Sequence, residues 1–109
     1  MNEKSLTYSQ QINMMKYLGD LYRASVRRIE RAAESRSTAV HYEMYNDDCQ
    51  LKSYMERTLR DCSPNTQLIT SHEFFENSPS DWYRNYYSQT TYYRLKKKAV
   101  GEFLHCLDI

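Results

Sequence analysis

Apolar residues recur along this chain at three- and four-residue steps, the spacing that places side chains on one face of a helix. Met15, Leu18, Tyr22, Val26, Ile29 and Ala33 form the first such stripe. It predicts a long helix starting near Ser5 or Thr7 and ending near Glu34, with no proline to interrupt it. After a break at residues 35–38, a second stripe of Val40, Met44, Leu51, Met55, Leu59 and Cys62 predicts a helical region from Thr38 to Asp61. Asn46, Asp47 and Asp48 would interrupt it and cap a new helix near Cys49. Pro64 ends this region, and residues 63–70 read as a linker in which Leu68 and Ile69 dock or open the next helix.

The C-terminal quarter has the most informative pattern. Tyr92, Leu95, Ala99, Phe103, Cys106 and Leu107 share one helical face, widened by Val100 and Leu104. Ser88 can cap the first free amides. At about 100° per residue, Thr90, Arg94, Lys97, Lys98 and Gly101 fall opposite, with Tyr93 at the edge. Lys96 lies near the apolar side and snorkels along it. Upstream, Ser80 and Asp81 suit the start of a short helix from Asp81 to Tyr86, and Tyr86-Tyr87-Ser88 would turn into the long one. A weaker helical stretch, Ser71 to Glu76, precedes it. Three helices with Phe74, Phe75, Trp82, Tyr92, Leu95 and Phe103 inward make a trihelical unit, with Tyr86 added to its core. Helix, short turn and longer helix with basic N-terminal residues is the helix-turn-helix plan, although the turn lacks glycine.

The run S-x-x-T-Y-Y-R-x-K-K-x-A, formed by Ser88, Thr91, Tyr92, Tyr93, Arg94, Lys96, Lys97 and Ala99, resembles the C-terminal end of ArpU-type phage transcriptional regulators. Their C-terminal halves are similar to the DNA-binding region 4 of bacterial sigma factors. The longer stretch W-Y-x-x-Y-Y-S-x-T-T-Y-Y-R-L-K-K-K-A-V-x-E-F-L also resembles a small mycoplasmal protein family. The resemblance covers residues 68–108 and is specific in the Tyr-Tyr-Arg-Leu-Lys-Lys-Lys core. It implies a helix-turn-helix and transcriptional control.

Charge adds detail. The formal net charge is only +1, so nucleic-acid binding has to come from a local patch. Lys16, Arg23, Arg27, Arg28 and Arg31 line the polar side of the first helix, which reads as a solvated face or as a contact to DNA backbone or RNA polymerase. The second region is net acidic, so an antiparallel hairpin of the two is electrostatically sensible. Eleven tyrosines are present; they serve as half-buried core residues or as nucleic-acid contacts, and Tyr93 is the better candidate for contact.

Other classes of function find little support. The two glycines, Gly19 and Gly101, both fall within helices, so no phosphate-cradling or dinucleotide loop can form. Cys49, Cys62 and Cys106 form no paired motif and read as free thiols. Glu43, Asp47 and Asp48 beside His41 are explained by capping and solvation rather than metal. No enzymatic constellation and no cofactor motif stands out. The polar N-terminus and the lack of a long apolar run lead to an expectation of a cytoplasmic protein that does not enter a membrane.

The sequence therefore predicts an all-α chain with an N-terminal long helical hairpin at 1–62 and a C-terminal trihelical helix-turn-helix at 63–109. The expected function is sequence-directed binding of double-stranded DNA in transcriptional regulation. Gln89 and Arg94 are the foremost base readers, with Thr90 and Tyr93 toward the groove. Arg84, Lys97 and Lys98 hold phosphates, and Ser88, at the helix start, is counted among the DNA-binding residues. The hairpin would form a homodimer or bind RNA polymerase. The alternative is a helical protein–protein interaction adapter that never touches DNA.

Overall fold

The computed structural model describes residues 5–34 and 42–108. Among them the chain is all-α, with no strand. Helix α1 spans Tyr8–Glu34, α2 Tyr42–Arg60, α3 Pro64–Thr70 and α4 Gln89–Cys106. A π-helical turn at Ser71–Phe75 continues α3, and a 3-10 turn at Trp82–Asn85 precedes α4. The break expected at 35–38 and residues Val40 and His41 lie outside the described residues.

α1 begins where Thr7 and Gln10 satisfy each other. The Thr7 Oγ1 accepts from the Gln10 amide at 3.1 Å, and the Gln10 side chain accepts from the Thr7 amide at 2.9 Å. This reciprocal pair is a capping box. The buried stripe of α1 is Met15, Gly19 and Ser25, flanked by half-buried Leu18, Tyr22, Val26 and Ile29, whereas Ala33 is exposed.

α2 runs antiparallel to α1, as the descending cross-pairs show. Arg28 reaches Asp48 with two hydrogen bonds of 2.8 Å, and Tyr22 donates to Glu56 at 2.6 Å. Asp48 is buried inside an unbroken helix and also accepts from Ser25 Oγ at 3.2 Å. The expected interruption at residues 46–48 is therefore absent. Its acidic residue is held by a partner on α1 instead of capping its own backbone, because a buried carboxylate needs a cation and donors. Hydrogen bonds from Arg28 hold the Asp48 carboxyl below its ordinary range.

The expected linker at 63–70 is also corrected, because residues 64–70 are α3. Pro64 stands at the first helical position, where its missing N–H costs nothing, so the same proline that ends α2 starts α3. Ile69, Thr66 and Thr70 are buried. The N-terminus of α3 is capped from another helix: Glu102 on α4 accepts from the Ser63 amide at 3.1 Å and from the Ser63 hydroxyl at 2.9 Å, and also accepts from Thr66. In the π turn the Glu76 amide reaches back to Ser71 at 2.8 Å, and the chain leaves through Asn77 at a left-handed φ of 55°.

One core joins the hairpin to the C-terminal segment. Met15 of α1 and Met55 of α2 pack with Cys62, Phe74, Phe75, Val100, Phe103, Leu104 and Leu107. The packing therefore crosses the boundary expected at residue 62. Tyr22 stacks on Phe75 with ring centroids 4.3 Å apart, and Tyr54 donates to the Leu107 carbonyl at 3.2 Å. A second cluster of Ile69, Trp82, Tyr83, Tyr92 and Ala99 sits between α3, the 3-10 turn and the start of α4. No helix among the described residues is long and apolar enough to cross a membrane.

Candidate nucleic-acid interface

α4 starts at Ser88, whose backbone is extended at φ −69° and ψ 161° and whose hydroxyl accepts from the Thr91 amide at 3.3 Å. This is the N-cap expected from the sequence. The back of α4 is formed by buried Tyr92, Ala99, Val100, Phe103 and Leu104.

Tyr92 fixes the first turn. Its ring stacks on Tyr83 at a centroid distance of 3.9 Å, nearly parallel at 5°, and meets Trp82 edge-on at 5.9 Å. Glu73, from the π turn, gathers the polar atoms of this cluster. It accepts from Trp82 Nε1 at 2.8 Å and from the Tyr92 hydroxyl, and pairs with Lys96 at 3.4 Å. Burial and this hydrogen bond raise the Tyr92 pKa, keeping the hydroxyl protonated as a donor. The Lys96 ammonium lies 5.7 Å from the Tyr92 ring centroid, so its stem runs along the apolar side.

The front of α4 faces outward. Gln89, Thr90, Tyr93, Arg94, Lys97 and Lys98 are all exposed, Tyr93 by 55%. Arg84, in the 3-10 turn, and Ser88 are exposed as well. Arg84, Arg94, Lys97 and Lys98 form no ion pair among the described residues, so their charge is available to a partner. Lys97 is the most constrained, because its ammonium lies 5.9 Å from the ring centroid of Tyr8 on α1. Tyr8 thus closes one edge of the front, next to Lys97. Gly101, also toward the front, is open: a Cβ there would meet nothing within 4 Å.

Some expectations shift. The short helix expected over 81–86 is a single 3-10 turn at Trp82–Asn85. Its N-cap position is Asp81 rather than Ser80, and no side chain caps it. Trp82 and Tyr83 are both buried in this turn. Tyr86, expected in the core, is 56% exposed, because Tyr83 takes the place against Tyr92. Of the basic face of α1, Arg23 donates to the Phe74 carbonyl and pairs with Asp20, and Arg28 is committed to Asp48. Lys16, Arg27 and Arg31 remain exposed. A cleft of about 310 Å³ beside the cluster is lined by Lys16, Asp20, Arg23, Glu73 and Lys96; most of its charge is paired internally. Among the described residues no group of His, Cys, Asp or Glu is arranged to hold a metal ion.

Sequence reasoning missed two residues of this region. Tyr8 borders the front only because α1 folds back across α4, and nothing local in its sequence signals that. Glu73 looks like an ordinary surface acid, and its three partners lie 9, 19 and 23 positions downstream. Comparison with protein-family models, with curated proteins and with solved structures gives no match.

Proposed function

We propose that this protein binds double-stranded DNA in sequence-directed control of transcription, using the front of α4. The observation that carries the reading is the combination of an exposed, internally unpaired cationic face of Arg94, Lys97 and Lys98 with a back held rigidly by Tyr92, Tyr83, Trp82 and Glu73. A rigid helix with a polar front is the element that fits the major groove, whose width admits one α-helix. Gln89 and Arg94 would read base edges, with Thr90 and Tyr93 alongside. Lys98, Lys97 and Arg84 would neutralise phosphates, and the capped amides at Ser88 favour anions at the helix start.

A single helix offers few contacts, so the reading includes a partner on the hairpin, either a second copy of the chain or RNA polymerase. The exposed Tyr17 on α1 and the exposed Arg27 and Arg31 are available to such a partner. Selection of bound duplexes from a random library tests the reading. Enrichment of a defined sequence, with affinity falling as salt rises, supports it. Failure of the full chain to retain any duplex at low salt favours a helical adapter instead.

A further inference from the structure

The segments that carry two of the three cysteines meet where the end of α2 abuts the end of α4. Ser63, next to Cys62, is bonded through its amide and hydroxyl to Glu102, one turn before Cys106 on the same side of α4. On the other side, Tyr54 of α2 holds the Leu107 carbonyl at 3.2 Å, immediately after Cys106. These two contacts bracket the thiols and bring the segments carrying them together. Cys62 is buried within the core and Cys106 is exposed, so one thiol is shielded and the other reachable from solvent.

We propose that Cys62 and Cys106 form a reversible disulfide, closed by hydrogen peroxide, that ties α2 to the end of α4. In the first step the Cys106 sulfur attacks peroxide, the O–O bond breaks, and water leaves with Cys106 as a sulfenic acid. In the second, the Cys62 sulfur attacks the Cys106 sulfur, the S–O bond breaks, and hydroxide takes the Cys62 proton to leave as a second water. One peroxide is reduced to two waters, and two thiols are oxidised to one disulfide. The order follows from exposure. Burial pushes the Cys62 thiol up to about 12, and its S–H donates to the Thr58 carbonyl at 3.4 Å, so Cys62 is a poor first nucleophile and acts as the resolving thiol. Cys49 lies at mid-helix on α2 and takes no part. The inference does not depend on DNA binding.

The test treats the full chain with hydrogen peroxide, alkylates remaining thiols under denaturing conditions, and maps disulfides by mass spectrometry after proteolysis. The expected product is an intramolecular Cys62–Cys106 link that dithiothreitol reverses. Cys49→Ser should leave the link intact, and Cys106→Ser should abolish it. The oxidised chain should also unfold at a temperature higher by on the order of 10 °C, because the bond closes a long loop. A Cys106 oxidised to sulfinate, or joined to a second chain, while Cys62 still takes alkylating reagent would overturn the proposal. So would a link of Cys62 to Cys49 in place of Cys106.

Discussion

The α-carbon of Gly19 on α1 packs so closely against the carbonyl oxygen of Phe74 that a Cβ at position 19 would overlap it. That contact lets α1 lie directly on the π turn, and it aligns Arg23, one turn along, to donate to the same carbonyl. Gly19→Ala should therefore destabilise the chain by roughly 1–3 kcal/mol, because the overlap with rigid backbone outweighs the gain in helix propensity. Gly101→Ala meets open space and should stabilise by up to about 1 kcal/mol. Thermal unfolding of both variants checks the pair. Equal effects of one sign would show that Gly19 is not needed for packing.

Thr70 is fully buried, and its hydroxyl finds no partner among the described residues. A buried, unpaired hydroxyl carries its desolvation cost without return. Thr70→Val keeps the branched shape and removes that group, so it should raise stability by about 1 kcal/mol. Denaturant titration reads this directly. A loss of stability would mean that the hydroxyl has a partner after all.

Three carboxylates set the acid limit. Asp48 is held below its ordinary range chiefly by hydrogen bonds from Arg28; Glu56, against the opposing effect of burial, by hydrogen bonds from Tyr22 and Lys52; and Glu102 by hydrogen bonds from Thr66 and Ser63. A pKa lowered on folding contributes stability that is present above the unfolded value, about 4 for these side chains, and is lost as pH falls through the lower folded value. Stability should therefore decline below about pH 4. Asp48→Asn should be less stable than wild type at neutral pH by about 1–3 kcal/mol, because Arg28 loses its charged acceptor, and its acid decline should be shallower. Chemical denaturation across pH 2.5 to 7, a window of roughly those pKa values, measures both. An unchanged slope in Asp48→Asn would remove this carboxylate from the account.

The legible parts of the fold were those with strong periodicity. The bounds of α1, the Ser88 cap and the buried stripe of α4, except for Cys106, which is exposed, follow from apolar spacing and one hydroxyl. α3 was illegible because its seven residues, Pro-Asn-Thr-Gln-Leu-Ile-Thr, bury two threonines and an isoleucine and show no amphipathic contrast. Asp48 was misread because its salt-bridge partner lies 20 positions away on another helix. The same holds at the candidate interface: the exposed front of α4 was readable from its own sequence, whereas the bracing by Glu73 and the flanking Tyr8 arise only from tertiary packing. Tyr86 and Tyr83 have equivalent local contexts, and only the stack on Tyr92 decides which one is buried.

The two classes of contact proposed for α4 separate by substitution. Arg94→Ala should relax sequence preference by about 1–3 kcal/mol at one base pair. Lys98→Ala should weaken all sequences similarly and reduce the salt slope by about 1. Competition binding with single-base variants of a selected duplex measures both. Identical loss on every sequence from both changes would contradict the assigned roles.

The most direct test of the interface is fluorescence anisotropy of a selected duplex titrated with wild type and with Arg94→Ala/Lys98→Ala, at two salt concentrations. Both changes lie on exposed, unpaired positions, so the fold should persist, which circular dichroism checks. The account predicts salt-sensitive binding by wild type and its loss in the double variant. Undiminished binding by the double variant, or wild-type binding indifferent to salt, would contradict it.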